Sequence, residues 1–344
     1  MIFRGTLCLS AVLIAGAFSA VAAPIGTSPG PSARYATDAY PGFDNESEII
    51  KPSRKEPKWL SWLNGPKRET PAEQLAYALN CQANGSWRSA RRGFDALVRE
   101  WPTSPEAPVA QKALADLYLV HELDYEQAFA EYRYLLDFHS SSCDYDAVAE
   151  LMFKCAELMR EEGKRVVFFR FANTVDVRRA YEALVLRAPG ARFAPGAMLT
   201  IAALREDEGR YETAVTVYEN LRSLHPETPE ARAAWHLESG ARMKVIRECE
   251  YNRDRVKDTI AFLKSALASN ALDAAARDEV TLWLAEAERL LEDEAYQAAV
   301  FYDSRTRTRR SAVNAYMRFL SDYPESAHAP EIRRRLAELQ KEGE

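Results

Sequence analysis

The chain has 344 residues, of which 47% are hydrophobic and 28% charged, the proportions of a folded protein rather than a fibrous or disordered one. Its 45 basic and 51 acidic residues leave a formal charge of −6, which argues against a nucleic-acid binder. Five His and five Cys supply few metal ligands, and no cofactor is expected.

Residues 1–23 read as a secretory signal. Arg4 precedes an uncharged run from Thr6 to Val21, and Ala20-Val21-Ala22 forms a small-x-small cleavage site before Pro24. The apolar stretch is short for a membrane span, and no Cys stands at the cleavage point. The mature protein is therefore expected to be exported. Of the later cysteines, Cys81, Cys143, Cys155 and Cys249 show no CxxC and no metal-finger spacing. They are expected to be mostly buried free thiols, and Cys143 and Cys155 could not pair if they shared one helix.

Residues 24–70 read as a Pro-rich flexible segment; eight of the 17 prolines fall between Pro24 and Pro71. Trp59, Leu60, Trp62 and Leu63 interrupt it. They either fold back onto the first helices or form a docking motif for a partner.

From Thr70 the apolar residues recur at three- and four-residue spacing, which predicts helices throughout residues 71–342. Val166 to Phe171 stands out as a stretch that could be extended between two helices. A repeat runs through this region. A small residue is followed by an aromatic four later, Leu seven later, an aromatic or His eleven later, then Pro and Ser or Thr. Ala90-Phe94-Leu97, Ala214-Tyr218-Leu221 and Ala312-Tyr316-Phe319 are the strong copies. Ala128 and Val177 begin partial copies, and Thr259-Leu263-Ala266 is a weak one. The physical sense is direct. A small residue lets two antiparallel helices approach, the next two positions fill the groove on the same face, and Pro ends the helix. The hydroxyl residue is expected to cap the following helix. One such unit cannot bury its own face, so the fold class is all-α, an α-solenoid of about five to six tetratricopeptide-like helix-turn-helix repeats.

Glu73 to Leu117 and Ala295 to Leu339 carry a further likeness. The second block places Ala299, Phe301, Tyr302, Ala312, Tyr316, Leu320, Tyr323, Pro324 and Ser326 in an "A-x-F-Y" helix followed by a helix ending in "YP-x-S". This resembles the family of the outer-membrane assembly factor BamD. The resemblance implies a periplasmic scaffold at the inner face of the outer membrane, with a BamA-like barrel insertase and unfolded outer-membrane proteins as partners. A peripheral contact with the membrane is implied as well. The competing reading is a general periplasmic repeat adaptor for envelope constriction or peptidoglycan machinery.

No sequence motif of an enzyme appears: GxGxxG, GxxxxGK[ST], HExxH and GxSxG are all missing from the sequence. His139 and His225 occupy the repeat position of Trp101 and Tyr323, and read as helix-end packing residues. Glu292, Asp293 and Glu294 read as a solvated face. The candidate sites are therefore partner-binding ones. Gln74, Tyr77 and Lys112 are expected on the groove formed by the first helix of each repeat. Arg305, Arg307, Arg309 and Arg310, with Arg333 and Arg334 on the last helix, form candidate basic patches for an acidic partner or lipid heads.

Overall fold

A computed structural model describes residues 65–165, 170–248, 252–304 and 309–341. The expected signal, most of the Pro-rich segment including Trp59 to Leu63, Arg305, Arg307 and Cys249 lie outside the described residues.

The helices come in pairs. They are α1 (Pro71–Ala83) with α2 (Trp87–Glu100), and α3 (Ala107–Leu117) with α4 (Tyr125–His139). Next are α5 (Tyr145–Arg165) with α6 (Arg170–Arg187), and α7 (Ala194–Asp207) with α8 (Tyr211–Leu224). Then come α9 (Pro229–Glu248) with α10 (Arg253–Ala268), α11 (Ala274–Asp303) with α12 (Arg309–Asp322), and a closing helix, α13 (Ala329–Lys341). Each helix packs on the next in sequence, and the described residues contain no strand. The architecture is an all-α solenoid of six helix-turn-helix units closed by α13. Arg170 and Phe171 belong to α6, so the stretch read as extended is helical at its C-terminal end. Cys143 precedes α5, which begins at Tyr145, so it does not share a helix with Cys155. Cys81, Cys143 and Cys155 are free thiols. Cys155 is buried, and that burial pushes its thiol up to about 12.

The buried triad is present in all six even helices. The small positions Ala90, Ala128, Val177, Ala214, Thr259 and Ala312 are all buried. So are Phe94, Tyr132, Tyr181, Tyr218, Leu263 and Tyr316 four residues on, and Leu97, Leu135, Leu184, Leu221, Ala266 and Phe319 seven residues on. The copy that is weak in sequence, Thr259-Leu263-Ala266, is therefore a full structural repeat. Its Leu and Ala fill the places that an aromatic and Leu fill elsewhere.

The Ser or Thr after each Pro meets the expectation in part. Thr228 caps α9 by accepting from the Ala231 amide at 3.2 Å, and the Ser326 hydroxyl accepts from the His328 amide at 3.0 Å just ahead of α13. The shared feature is a backbone turn. The amides of Ser104, Ala191, Thr228 and Ser326 donate to the carbonyls of Trp101, Ala188, His225 and Tyr323. Ala191 has no hydroxyl and makes the same turn. Side-chain caps start other helices instead: Thr70 for α1, Asp124 for α4, Asn252 for α10 and Asp273 for α11.

The turn inside a repeat also recurs. Gly85 and Gly209, two residues before Trp87 and Tyr211, have φ of 70° and 73°. Leu123, two residues before Tyr125, occupies the same position with φ of 54°. An L side chain is strained there, while glycine is not. Close approach fixes a third glycine: a Cβ on Gly93 would meet the Ala78 Cβ at 2.9 Å, where α1 crosses α2.

Candidate functional site

Three odd helices, α7, α9 and α11, come together. α9 packs on α7 and α11 as well as on α8 and α10, while the even helices make no comparable contact with one another. A stack that is narrower on one side curves toward that side, so α7, α9 and α11 line a concave face. This face is the candidate site, and its side chains are fixed by the tyrosines beneath them.

Four repeats share one polar device. The phenols of Tyr132, Tyr181, Tyr218 and Tyr316 donate to Asp116, Glu157, Glu206 and Asp303, each on the odd helix of the same repeat; the Tyr218 and Tyr316 bonds measure 2.7 and 3.0 Å. A cation then holds each carboxylate: Lys112 at 2.9 Å, Arg160, Lys244 at 2.7 Å and Arg335 at 2.8 Å respectively. A buried aromatic with a hydroxyl needs a partner, and this arrangement supplies one. Burial raises the pKa of all four phenols, and the carboxylate beside each adds to the effect, so they remain proton donors. Lys244 lies on α9 and Arg335 on α13, so in the fourth and sixth units the cation comes from the next helix pair or cap. Sequence reading placed these tyrosines in the core and missed their polar ends. The signal was the Tyr at the aromatic position of four copies, since Phe94 and Leu263 have no hydroxyl to satisfy.

The expected site residues separate into three groups. Gln74 is a correction: it is buried, its amide donates to the Gly93 carbonyl at 2.9 Å, and its Oε1 accepts from the Lys67 and Arg68 amides. It joins α1, α2 and the entering chain, and presents nothing to a partner. Tyr77 is half-buried on α1 with the Arg68 guanidinium 5.4 Å from its ring centre, and Lys112 is exposed on α3 with Asp116. The basic residues lie at the other end of the stack. Arg309 is half-buried and donates to the Leu339 carbonyl, binding α12 to α13 rather than standing free. Arg333 donates to the Pro324 carbonyl at 3.2 Å while remaining exposed, and Arg310 and Arg334 are exposed. The structure therefore does not bring Tyr77 and Lys112 together with the arginines.

The histidines are packing residues. His121 stacks on Trp87 at 3.7 Å and His328 on Tyr296 at 3.9 Å. His236 meets Glu279 at 2.8 Å, and burial lowers the pKa of His225. Between the second and third units a cavity of about 280 Å³ gathers Glu122, Asp124, Glu126, Glu162 and Asp176. Burial, then the charges of Asp176 and Asp124, raise the pKa of Glu126. Among the described residues no group of three or more His, Cys, Asp and Glu could hold a metal ion, and no helix is long and apolar enough to cross a membrane.

The family described as Tetratricopeptide repeat matches residues 197–228, most of the α7–α8 unit. No curated protein matches the chain in sequence. Among solved structures, the thermophilic TPR protein TTC0263 of Thermus thermophilus is 16% identical over 62% of this chain and 99% of that one, with a TM-score of 0.28. A tetratricopeptide repeat protein of Parabacteroides merdae is 12% identical over 78% of this chain and 98% of that one, with a TM-score of 0.29. MamA protein is 12% identical over 58% of this chain and 90% of that one, with a TM-score of 0.28. The matched unit, with five further helix pairs built on the same buried triad, defines a helical repeat protein of tetratricopeptide type.

Proposed function

We infer that this chain is a non-catalytic protein–protein adaptor that receives a partner segment along its concave face. The observation that carries the reading is the concave layer itself. The odd helices, of which α7, α9 and α11 pack side by side, present exposed groups such as Lys112 of α3 on a frame held by buried tyrosines bonded to carboxylates. Repeat solenoids recognise extended or helical segments through such surfaces. The signal expected in residues 1–23 and the likeness of Ala295 to Leu339 to the BamD family support a periplasmic setting beside the outer membrane. The proposed partner is a BamA-like barrel insertase, with unfolded outer-membrane proteins as cargo. Arg310, Arg333 and Arg334 at the C-terminal end would meet acidic groups of the partner or of lipid heads.

The test is affinity capture from detergent-solubilised envelopes with a C-terminal tag. The reading expects an outer-membrane barrel carrying periplasmic repeats, and expects Lys112→Glu or Arg310→Glu with Arg334→Glu to weaken its recovery. Recovery of peptidoglycan enzymes or division proteins without a barrel would replace it with the general envelope-adaptor reading.

A further inference from the structure

The upper half of α11, from Ala274 to Arg289, is packed on two of its sides. Toward α9, Glu279 meets His236 at 2.8 Å, Glu286 pairs with Arg247, and the Trp283 ring lies where a Cβ on Gly240 would stand 3.3 Å from it. Toward α10, Val280 and Ala287 are buried in one core with Val256, Ile260 and Leu263. The third side carries Ala275, Asp278, Leu282, Ala285 and Arg289. Their spacing of three, four, three and four residues makes one stripe. All five are exposed, and Leu282 is 71% exposed.

Lower down, the same stripe is covered. It continues through Glu292, Tyr296 and Asp303, which are half-buried. There α13 and the turn before it lie along it. Ser326 donates to Glu292, His328 stacks on Tyr296 at 3.9 Å, and Arg335 binds Asp303 at 2.8 Å. His328 to Arg335 and Tyr296 to Asp303 are both steps of seven residues, so α13 runs parallel to α11. Its N-terminus therefore points toward the uncovered half. From Ala275 to Arg289 that half rises about 21 Å, close to four turns. A groove of about 410 Å³ opens at its foot, lined by Arg289, Asp293, Tyr323, Pro324 and His328 among others.

We propose that this shoulder of α11 docks a helix of a partner protein, about four turns long and seated as α13 is seated below it. Helix-on-helix packing along the stripe is already established by α13, and the occupant continues it upward. Charge sets the occupant's chemistry and direction. Asp278 stands at the upper end. Arg289 stands at the lower end, 3.9 Å from Asp293 of its own helix, with the positive end of the α13 dipole beyond it. A helix parallel to α11 brings its positive N-terminus and a Lys or Arg to Asp278. It brings its negative C-terminus and an Asp or Glu to Arg289, and an apolar side chain to Leu282 between them. Ala275 and Ala285 allow the close approach. The proposal rests on the adaptor reading for a protein partner, and adds the surface and the partner's chemistry.

Photo-crosslinking in intact cells of the source organism tests it. Benzoylphenylalanine replaces Leu282 in one full-length chain and, in another, Leu237, which is 40% exposed on α9 of the concave face. The expected adduct at 282 joins a different polypeptide. Mass spectrometry is expected to place the joined residue in a segment with a basic residue about four positions before it and an acidic one about seven after it. Asp278→Lys with Arg289→Glu changes only exposed side chains, and is expected to lower the yield at 282 about fivefold while leaving that at 237 unchanged. An adduct at 237 with none at 282 would overturn the proposal and leave the adaptor reading standing. An adduct with a second copy of this chain, a joined segment lacking those charges, or a yield indifferent to the charge reversal would also overturn it. Adducts at neither position would overturn the adaptor reading as well.

Discussion

The second to fourth repeats and the last repeat are built from the same triad, yet they are held differently. In the middle, one continuous apolar core runs from Ala115 to Ala241, through α3 to α9. The last repeat has its own small core of Ala299, Ala312, Tyr316, Phe319, Ile332 and Leu339. The middle also buries charge. Arg178 and Arg205 are 1% exposed and Glu182 is fully buried. Arg178 reaches Glu182 at 2.7 Å and Glu208 at 2.8 Å, while Arg205 reaches Glu182 at 3.0 Å. This cluster joins α6 to α7, and Arg187 joins α6 to α4 through both oxygens of Asp137 at 2.8 and 3.0 Å. At the end of the stack the corresponding link is Arg335 to Asp303, with Arg335 more than a third exposed. The same motif thus gives repeats of unequal strength, because stability in a stack is a sum of local terms and neighbour contacts.

The largest test of this contrast is Glu182→Ala. It removes the fully buried carboxylate and leaves two buried guanidinium groups with only Glu208 between them, and the expected loss is about 3 kcal/mol of global stability by denaturant unfolding. Arg335→Ala at the exposed link is expected to cost only about 1 kcal/mol, seen as faster exchange in α12 and α13. Equal losses would remove the distinction. Next in size, Tyr218→Phe leaves Glu206 paired only with Lys244, and about 1–2 kcal/mol should be lost. Tyr316→Phe should cost less, because Asp303 keeps two bonds from Arg335.

Acid sharpens the comparison at the C-terminal end. The Arg335 guanidinium, and then the Tyr316 hydroxyl, hold Asp303 below the usual carboxylate range. The folded value is lower than the unfolded one, so the stabilisation is present at neutral pH. It is lost as pH falls below the ordinary carboxylate range and through the depressed value. Asp303→Asn should flatten that part of the acid limb for α12–α13. A difference that persisted unchanged in the variant would assign it to another group. The smallest expected effect is a gain. Leu123→Gly removes a side chain from a left-handed position where its counterparts are Gly85 and Gly209, and about 0.5–1 kcal/mol should be recovered, read as a rise in midpoint.

What was legible in the sequence follows from what repeats at fixed spacing. The triads lie at offsets of four and seven, so Ala90, Ala214 and Ala312 disclosed the stack, and even Thr259 marked a true repeat. The carboxylate partners of the tyrosines lie 16, 24, 12 and 13 residues away, because the helix lengths differ, and no fixed period finds them. Arg178 and Glu182 look like an ordinary exposed i,i+4 pair in sequence. Only packing against α7 makes them buried. Gln74 misled for the converse reason: a polar residue on a helix reads as surface unless the carbonyl of Gly93 is known to face it. The basic run leading into α12 read as one patch, but Arg309 turns inward while Arg310 stays out.

Native-state hydrogen exchange across the whole chain tests the central claim of a strong middle and separately opening ends. The account predicts that α4 to α8 exchange together at the slow, global limit, while α12 and α13 open as a unit at lower free energy. Uniform protection from α4 to α13, lost in one step with denaturant, would contradict it.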